Sequence, residues 1–72
     1  MLRLFDSVKL KKERLDLGIK ESYTGAIVDI LGGGEAYTVE FFDEDRDTVM
    51  EGLFVEFTEE ELELVIPNKQ RW

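Results

Sequence analysis

The clearest regularity along the chain is a two-residue alternation at Ala36-Tyr37-Thr38-Val39-Glu40-Phe41. Successive side chains of a strand point to opposite faces, so this stretch predicts a strand with Tyr37, Val39 and Phe41 inward and Thr38 and Glu40 outward. Upstream, Thr24-Gly25-Ala26-Ile27-Val28-Asp29-Ile30-Leu31 is β-branched and apolar and reads as a second strand. Gly32-Gly33-Gly34-Glu35 between the two predicts a tight turn, because glycine accepts positive φ without steric conflict. Asp6-Ser7-Val8-Lys9-Leu10 also alternates and predicts a short first strand at a sheet edge. Residues 11–22 read as a long, partly packed loop, with a helical turn over residues 11–17 as the competing reading. Downstream, residues 43–47 predict a hairpin loop and residues 48–57 a long strand. That strand would place Val49, Leu53, Val55 and Phe57 on one face and Met50 and Phe54 on the other, bending at Gly52. Thr58-Glu59-Glu60-Glu61 has the spacing of a capping box and predicts a single helical turn. Leu62-Glu63-Leu64-Val65-Ile66 predicts a short last strand, ended by Pro67, the chain's one proline.

These elements describe an all-β fold: a small five-stranded antiparallel barrel with a long first loop and one helical turn before the last strand. It would occupy residues 1–67 as a single domain, with residues 68–72 as a short C-terminal tail. Four pieces carry a resemblance: Asp6-x-Val8, Gly25-x-Ile27-Val28, Tyr37-x-Val39-Glu40-Phe41-x-Asp43, and Glu61-Leu62-x-x-Val65. In this order the chain resembles SH3-like small barrels of the KOW type. It is also similar to a family of short bacterial proteins of uncharacterised function, in which a Gly-Ile-Val strand precedes a Tyr-x-Val-Glu-Phe strand. The resemblance implies a stand-alone cytosolic domain, encoded in some members beside toxin-like or nuclease-like proteins, and hence an antitoxin or immunity role. It supplies no catalytic residues. The chain departs from the pattern at Arg46-Asp47, where many relatives have a glycine, and in continuing through Pro67 to Trp72.

Composition narrows the chemistry. With 72 residues the chain is near the lower end of what folds as one domain without covalent staples, and it has neither cysteine nor histidine. Disulfides are excluded, and a zinc site would have to be built from carboxylates alone, a poor match for that ion. The core must come from the 43% hydrophobic content, with five Phe, two Tyr and one Trp. Such a core leaves a margin of roughly 3–5 kcal/mol, so pairing with itself or with a partner would help, and a homo-oligomer is one expectation. No stretch approaches the ~18 apolar residues of a membrane span, and the first residues lack the apolar core of a signal peptide. We therefore expect a cytoplasmic protein with no membrane association.

Charge carries the functional reading. Between Glu21 and Glu63 lie fourteen carboxylates and one cation, Arg46, whereas residues 1–20 hold six Lys/Arg against three acids. A net charge of −8 repels phosphate backbones and attracts basic surfaces. The leading expectation is a non-catalytic protein–protein interaction module whose acidic strand face binds a basic partner, a nuclease-like toxin being one such partner. The acids singled out are Glu40, Asp43, Asp45, Asp47, Glu51 and Glu56, with Phe42, Met50 and Phe54 as apolar anchors. A nucleic-acid or ribosome-associated barrel is the alternative, through Lys9, Lys11, Lys12, Arg14 and Lys20 with Phe5, Tyr23 and Trp72 for stacking, opposed by the acidic remainder. A further alternative is an accessory subunit of a larger enzyme.

Other motifs carry less. Asp43-Glu44-Asp45-Arg46-Asp47 has the alternate-acid spacing that opens a calcium loop, but the sixth and twelfth positions are Thr48 and Phe54 where an EF-hand needs Gly and Glu. Gly32-Gly33-Gly34 lacks the Lys-Ser/Thr pair of a phosphate-binding loop. Paired carboxylates such as Glu40 with Glu51 or Glu56 read as hydrated outward acids, and Ser7 and Ser22 have no histidine to act as base. The chain is thus expected not to be an enzyme, with no catalytic residue, metal site or cofactor.

Overall fold

The computed structural model describes residues 1–69. Strands β1 (Ser7–Leu10), β2 (Thr24–Leu31), β3 (Ala36–Phe42) and β4 (Leu62–Ile66) form one open antiparallel sheet in the order β3-β2-β1-β4. Short 3₁₀ turns occupy Leu15–Leu17, Met50–Phe54 and Glu59–Glu61. Among the described residues the fold is all-β, with four strands in place of the five expected.

The β2–β3 hairpin follows the sequence pattern closely. Gly32, Gly33 and Gly34 take φ values of 58°, 71° and 119°, and the Gly34 and Glu35 amides donate to Leu31 O at 3.1 and 3.0 Å. Tyr37, Val39 and Phe41 are fully buried, as the alternation of β3 requires. The register shifts between Ile27 and Asp29, so β2 carries a bulge at Val28. Gly25 on β2 lies opposite Phe41 on β3. A Cβ there would lie 2.6 Å from the Glu40 carbonyl oxygen and 3.0 Å from Phe41 Cα, so no side chain fits.

The first strand was expected at a sheet edge, and this is corrected. β1 is interior, paired with β2 on one side and with β4 on the other through Lys9↔Glu63 and Leu10↔Leu62. Val8 and Leu10 are 0% and 1% exposed, and backbone buried that deeply needs partners for its amides and carbonyls on both sides. The loop between β1 and β2 is not helical across residues 11–17. It pinches through a two-way bridge in which Arg14 N donates to Ile19 O and Ile19 N to Arg14 O, at 2.9 and 3.0 Å. The 3₁₀ turn Leu15–Leu17 lies within that pinch and ends at Gly18, whose φ is 73°.

The long strand expected over residues 48–57 is also corrected. This return segment pairs with the outer edge of β3 not as a continuous ladder but through isolated bridges at Phe42↔Thr48 and Tyr37↔Phe57. Five residue steps separate Tyr37 from Phe42 on β3, while nine separate Thr48 from Phe57. A simple bulge absorbs one extra residue; a surplus of four must leave the sheet, and the five-residue 3₁₀ turn Met50–Phe54 takes it up. Val49 and Gly52 are buried and Val55 packs against the core, a three-residue period in place of the two-residue one. Gly52 is small because Ile19 presses on it: a Cβ there would meet Ile19 Cδ1 at 3.0 Å.

Two further contacts close the structure. The capping box at Thr58 forms as expected, with the Thr58 amide donating to Glu61 Oε1 at 2.9 Å. Asp6 is 3% exposed and accepts from the Arg3 amide at 2.8 Å and the Asn68 amide at 2.7 Å. This carboxylate ties the segment before β1 to the segment after β4. Asn68, assigned to the tail from sequence, is therefore held against the domain; the expectation for Trp72 falls on residues outside those described.

The close approach at Gly25 and the softer one at Gly52 make separable predictions. Gly25→Ala meets rigid backbone and should destabilise by about 2 kcal/mol or more. Gly52→Ala meets the terminal methyl of one side chain, Ile19, and no backbone, and should stay within about 1 kcal/mol of wild type. Equilibrium denaturant unfolding of both variants checks the order.

Candidate functional site

The acids and anchors singled out from sequence arrive on three elements. Glu40 lies on β3 opposite Ala26, which in turn faces Ser7 on β1, so these three share the outer face of the sheet. Its Oε2 accepts from the Thr48 hydroxyl at 2.8 Å, which fixes the start of the return segment. Phe42, half-buried, ends β3. Asp43, Asp45 and Asp47 form the loop that follows, and their carboxylate oxygens lie within 4.8 Å of one another. Asp43 Oδ1 accepts from the Asp45 and Asp47 amides at 2.8 and 2.9 Å, and Arg46 takes the left-handed conformation with φ 65°. The aspartate at the head of this loop thus holds the turn together.

The remaining candidates stand on or just after the 3₁₀ turn Met50–Phe54. Met50 is 53% exposed and Phe54 84% exposed, with Glu51 also in solvent. Ile19 of the long loop packs on Gly52, on the other side of that turn, and does not cover them. Glu56 is exposed between the partly buried Val55 and the buried Phe57. Because residues 50–54 leave the sheet, Glu51 and Glu56 do not join Glu40 on one flat strand face. The acidic surface is instead a loop and a turn at one edge of β3. Other acids lie elsewhere, and Glu60 and Glu61 line a shallow cleft with Lys11, Lys12 and Arg14.

That cleft bears on the nucleic-acid alternative. Arg14 donates to both oxygens of Asp16, from Nε at 3.1 Å and from Nη2 at 3.0 Å, and lies 3.7 Å from Glu61. The Asp16 hydrogen bonds and charge raise the Arg14 pKa, and the same hydrogen bonds lower that of Asp16. Lys9, half-buried, sits on the outer face of β1 in register with Glu63 and Thr24. Lys11 and Lys12 are exposed, and the ion pairs among the described residues do not include them. Of the stacking aromatics proposed, Phe5 is 60% exposed, whereas Tyr23 is buried.

Tyr23 belongs to a site that the sequence did not single out. Its hydroxyl donates to Glu44 Oε1 at 2.8 Å, and Lys20 Nζ lies 3.5 Å from the same oxygen and 6.0 Å from the ring centroid. The hydrogen bond to Glu44, then burial, then the charges of Glu44, Asp43 and Asp45 raise the Tyr23 pKa. Tyr23, Phe42, Asp43, Glu44 and Arg46 help line an open cleft of about 630 Å³. A second cleft of about 340 Å³ adjoins it through Tyr23 and Asp43 and is edged by Asp16 and Glu51. Sequence gave a partial signal, an aromatic at the head of a strand, but not the twenty-one-residue separation over which Glu44 reaches it. At the far end of the sheet the Tyr37 hydroxyl donates to Glu59 Oε1 at 3.0 Å, and burial, followed by that bond, raises its pKa as well.

No family model, curated protein or solved structure matches the chain. Among the described residues no helix is long and apolar enough to cross a membrane.

Both tyrosines have folded-state pKa values above the ordinary one, so folding favours their protonated forms. Their contribution is complete below about pH 10 and is lost as pH rises through the folded values. Thermal unfolding midpoints should therefore fall on the alkaline side, and Tyr37→Phe should flatten that fall. Midpoints recorded across this range, with phenolate absorbance as the titration readout, check it.

Proposed function

We propose that this protein is a non-catalytic binding module that docks a basic protein surface on the edge formed by β3, the 43–47 loop and the 3₁₀ turn Met50–Phe54. The observation carrying this reading is the 84% exposure of Phe54 and the 53% exposure of Met50 on one turn that also holds Glu51 and follows the aspartate loop. An aromatic side chain held in water by a short, well-anchored turn is what a contact anchor looks like before its partner arrives. Carboxylates around it would accelerate encounter with a cationic surface and disfavour anionic ones. A nuclease-like toxin, whose groove is built for phosphates, is the partner class that best fits such a rim, and it would make the protein an antitoxin or immunity protein. The nucleic-acid reading has less support, since Arg14 is engaged by Asp16 and Glu61 and the neighbouring cleft is part acidic.

On the fold we infer an SH3-like barrel whose fourth strand is reduced to its two ends. The long first loop, the tight β2–β3 turn, the return along the β3 edge and the 3₁₀ turn Glu59–Glu61 before β4 support this assignment.

Captured partners from native lysate provide the test. The double substitution Met50→Ser and Phe54→Ser should weaken retention by about 2 kcal/mol or more, with the unfolding midpoint unchanged. Glu51→Lys should weaken retention at low salt and flatten its fall as salt rises. Equal retention by all variants would refute the reading.

A further inference from the structure

The cleft at Tyr23 contains its own indication of what it accepts. Lys20 Nζ and the Tyr23 hydroxyl converge on one oxygen, Glu44 Oε1, at 3.5 and 2.8 Å, with the ammonium 6.0 Å from the ring centroid. A carboxylate beside an aromatic wall holds a cationic side chain through a charge-assisted hydrogen bond and the ring's negative face; with Tyr23 only 9% exposed, Glu44 supplies the first and the half-buried Phe42 the second. Lys20 engages Glu44 from the cleft margin and loosely: the two side chains of the pair are 54% and 70% exposed, and the ammonium is at salt-bridge distance rather than close hydrogen-bond distance. Phe42 adds apolar wall, and Asp43 contributes a second acid. Arg46 also lines the cleft, so its attraction for a cation rests on Asp43 and Glu44, with Asp45 close enough to act on Tyr23.

We propose that the Tyr23–Glu44 cleft receives an arginine or lysine side chain from an extended segment of the basic partner, and that Lys20, paired with the Glu44 carboxylate at the cleft margin, competes with it. This rests on the docking reading above and adds a specific receptor to it. Arginine is the better guest, because its planar guanidinium can lie along an aromatic ring and fork to a carboxylate, whereas the lysine ammonium is a strongly hydrated point charge. The neighbouring cleft edged by Asp16 and Glu51 gives the segment a direction, from Tyr23 toward the turn bearing Met50 and Phe54.

The test uses the full chain and a fluorescent oligo-arginine peptide, with oligo-lysine in parallel. Lys20→Ala and Lys12→Ala each remove one positive charge, from beside the cleft and from the cluster with Lys11 and Arg14 respectively. Lys20→Ala should tighten peptide binding about threefold beyond Lys12→Ala, the scale of releasing one exposed ion pair. Glu44→Gln should weaken it about threefold relative to Glu60→Gln, its charge-matched control. Oligo-arginine should bind more tightly than oligo-lysine. Identical behaviour within both matched pairs, or no binding of oligo-arginine, would overturn the proposal. If that happens while Met50→Ser with Phe54→Ser still abolishes partner retention, the docking surface stands and only this receptor falls. Tightening by Lys20→Ala with retention unaffected by the double serine variant would separate the two in the opposite sense.

Discussion

The pairing of Tyr37 with Phe57 is the contact on which the rest of this structure turns. Each residue donates its amide to the other's carbonyl, at 2.7 and 2.9 Å, and both side chains are fully buried. The Phe57 ring meets Phe41 edge-on, with centroids 5.6 Å apart and planes at 78°, a geometry that adds to simple burial. Phe57 is the residue through which an irregular segment is stitched onto an exposed strand edge. Without it, β3 would present unpaired amides and carbonyls to solvent, the usual starting point for unwanted strand addition.

The functional surface follows from that stitch. With the return segment fixed at Thr48 and Phe57, its surplus of residues has to leave the sheet, and Gly52 directs the excursion by letting Ile19 press against its inner side. What remains outside is Met50, Glu51 and Phe54. Exposure of a large aromatic is therefore a geometric consequence of the mismatch in strand length, maintained by the core and not by the turn itself. The 43–47 loop is ordered independently by Asp43, which accepts two amides of its own turn. Acid and apolar groups come to one edge of the molecule by two separate devices.

Much of this was legible in the sequence where a single local rule governed. The alternation at Tyr37, Val39 and Phe41, the glycines at 32–34 and the Thr58–Glu61 spacing each specified their element. The return segment was misread because Val49, Leu53, Val55 and Phe57 fit a two-residue period as well as Val49, Gly52 and Val55 fit a three-residue one. Only the count of steps between two long-range bridges decides between them, and that count is a tertiary fact. The place of β1 inside the sheet depends likewise on β4, more than fifty residues later. Asp6 and the Tyr23–Glu44 pair were missed for the same reason. Their partners are distant in sequence, and neither residue type signals burial by itself.

Native-state hydrogen exchange measures the central claim most directly. The amides of Tyr37, Phe57 and Val49, which bridge the return segment to β3, should exchange only through global unfolding, while those of Met50 and Glu51, at the start of the 3₁₀ turn, should exchange quickly from the native state. Fast exchange at Phe57 and Tyr37, or uniform strand-like protection from Thr48 through Phe57, would contradict the account.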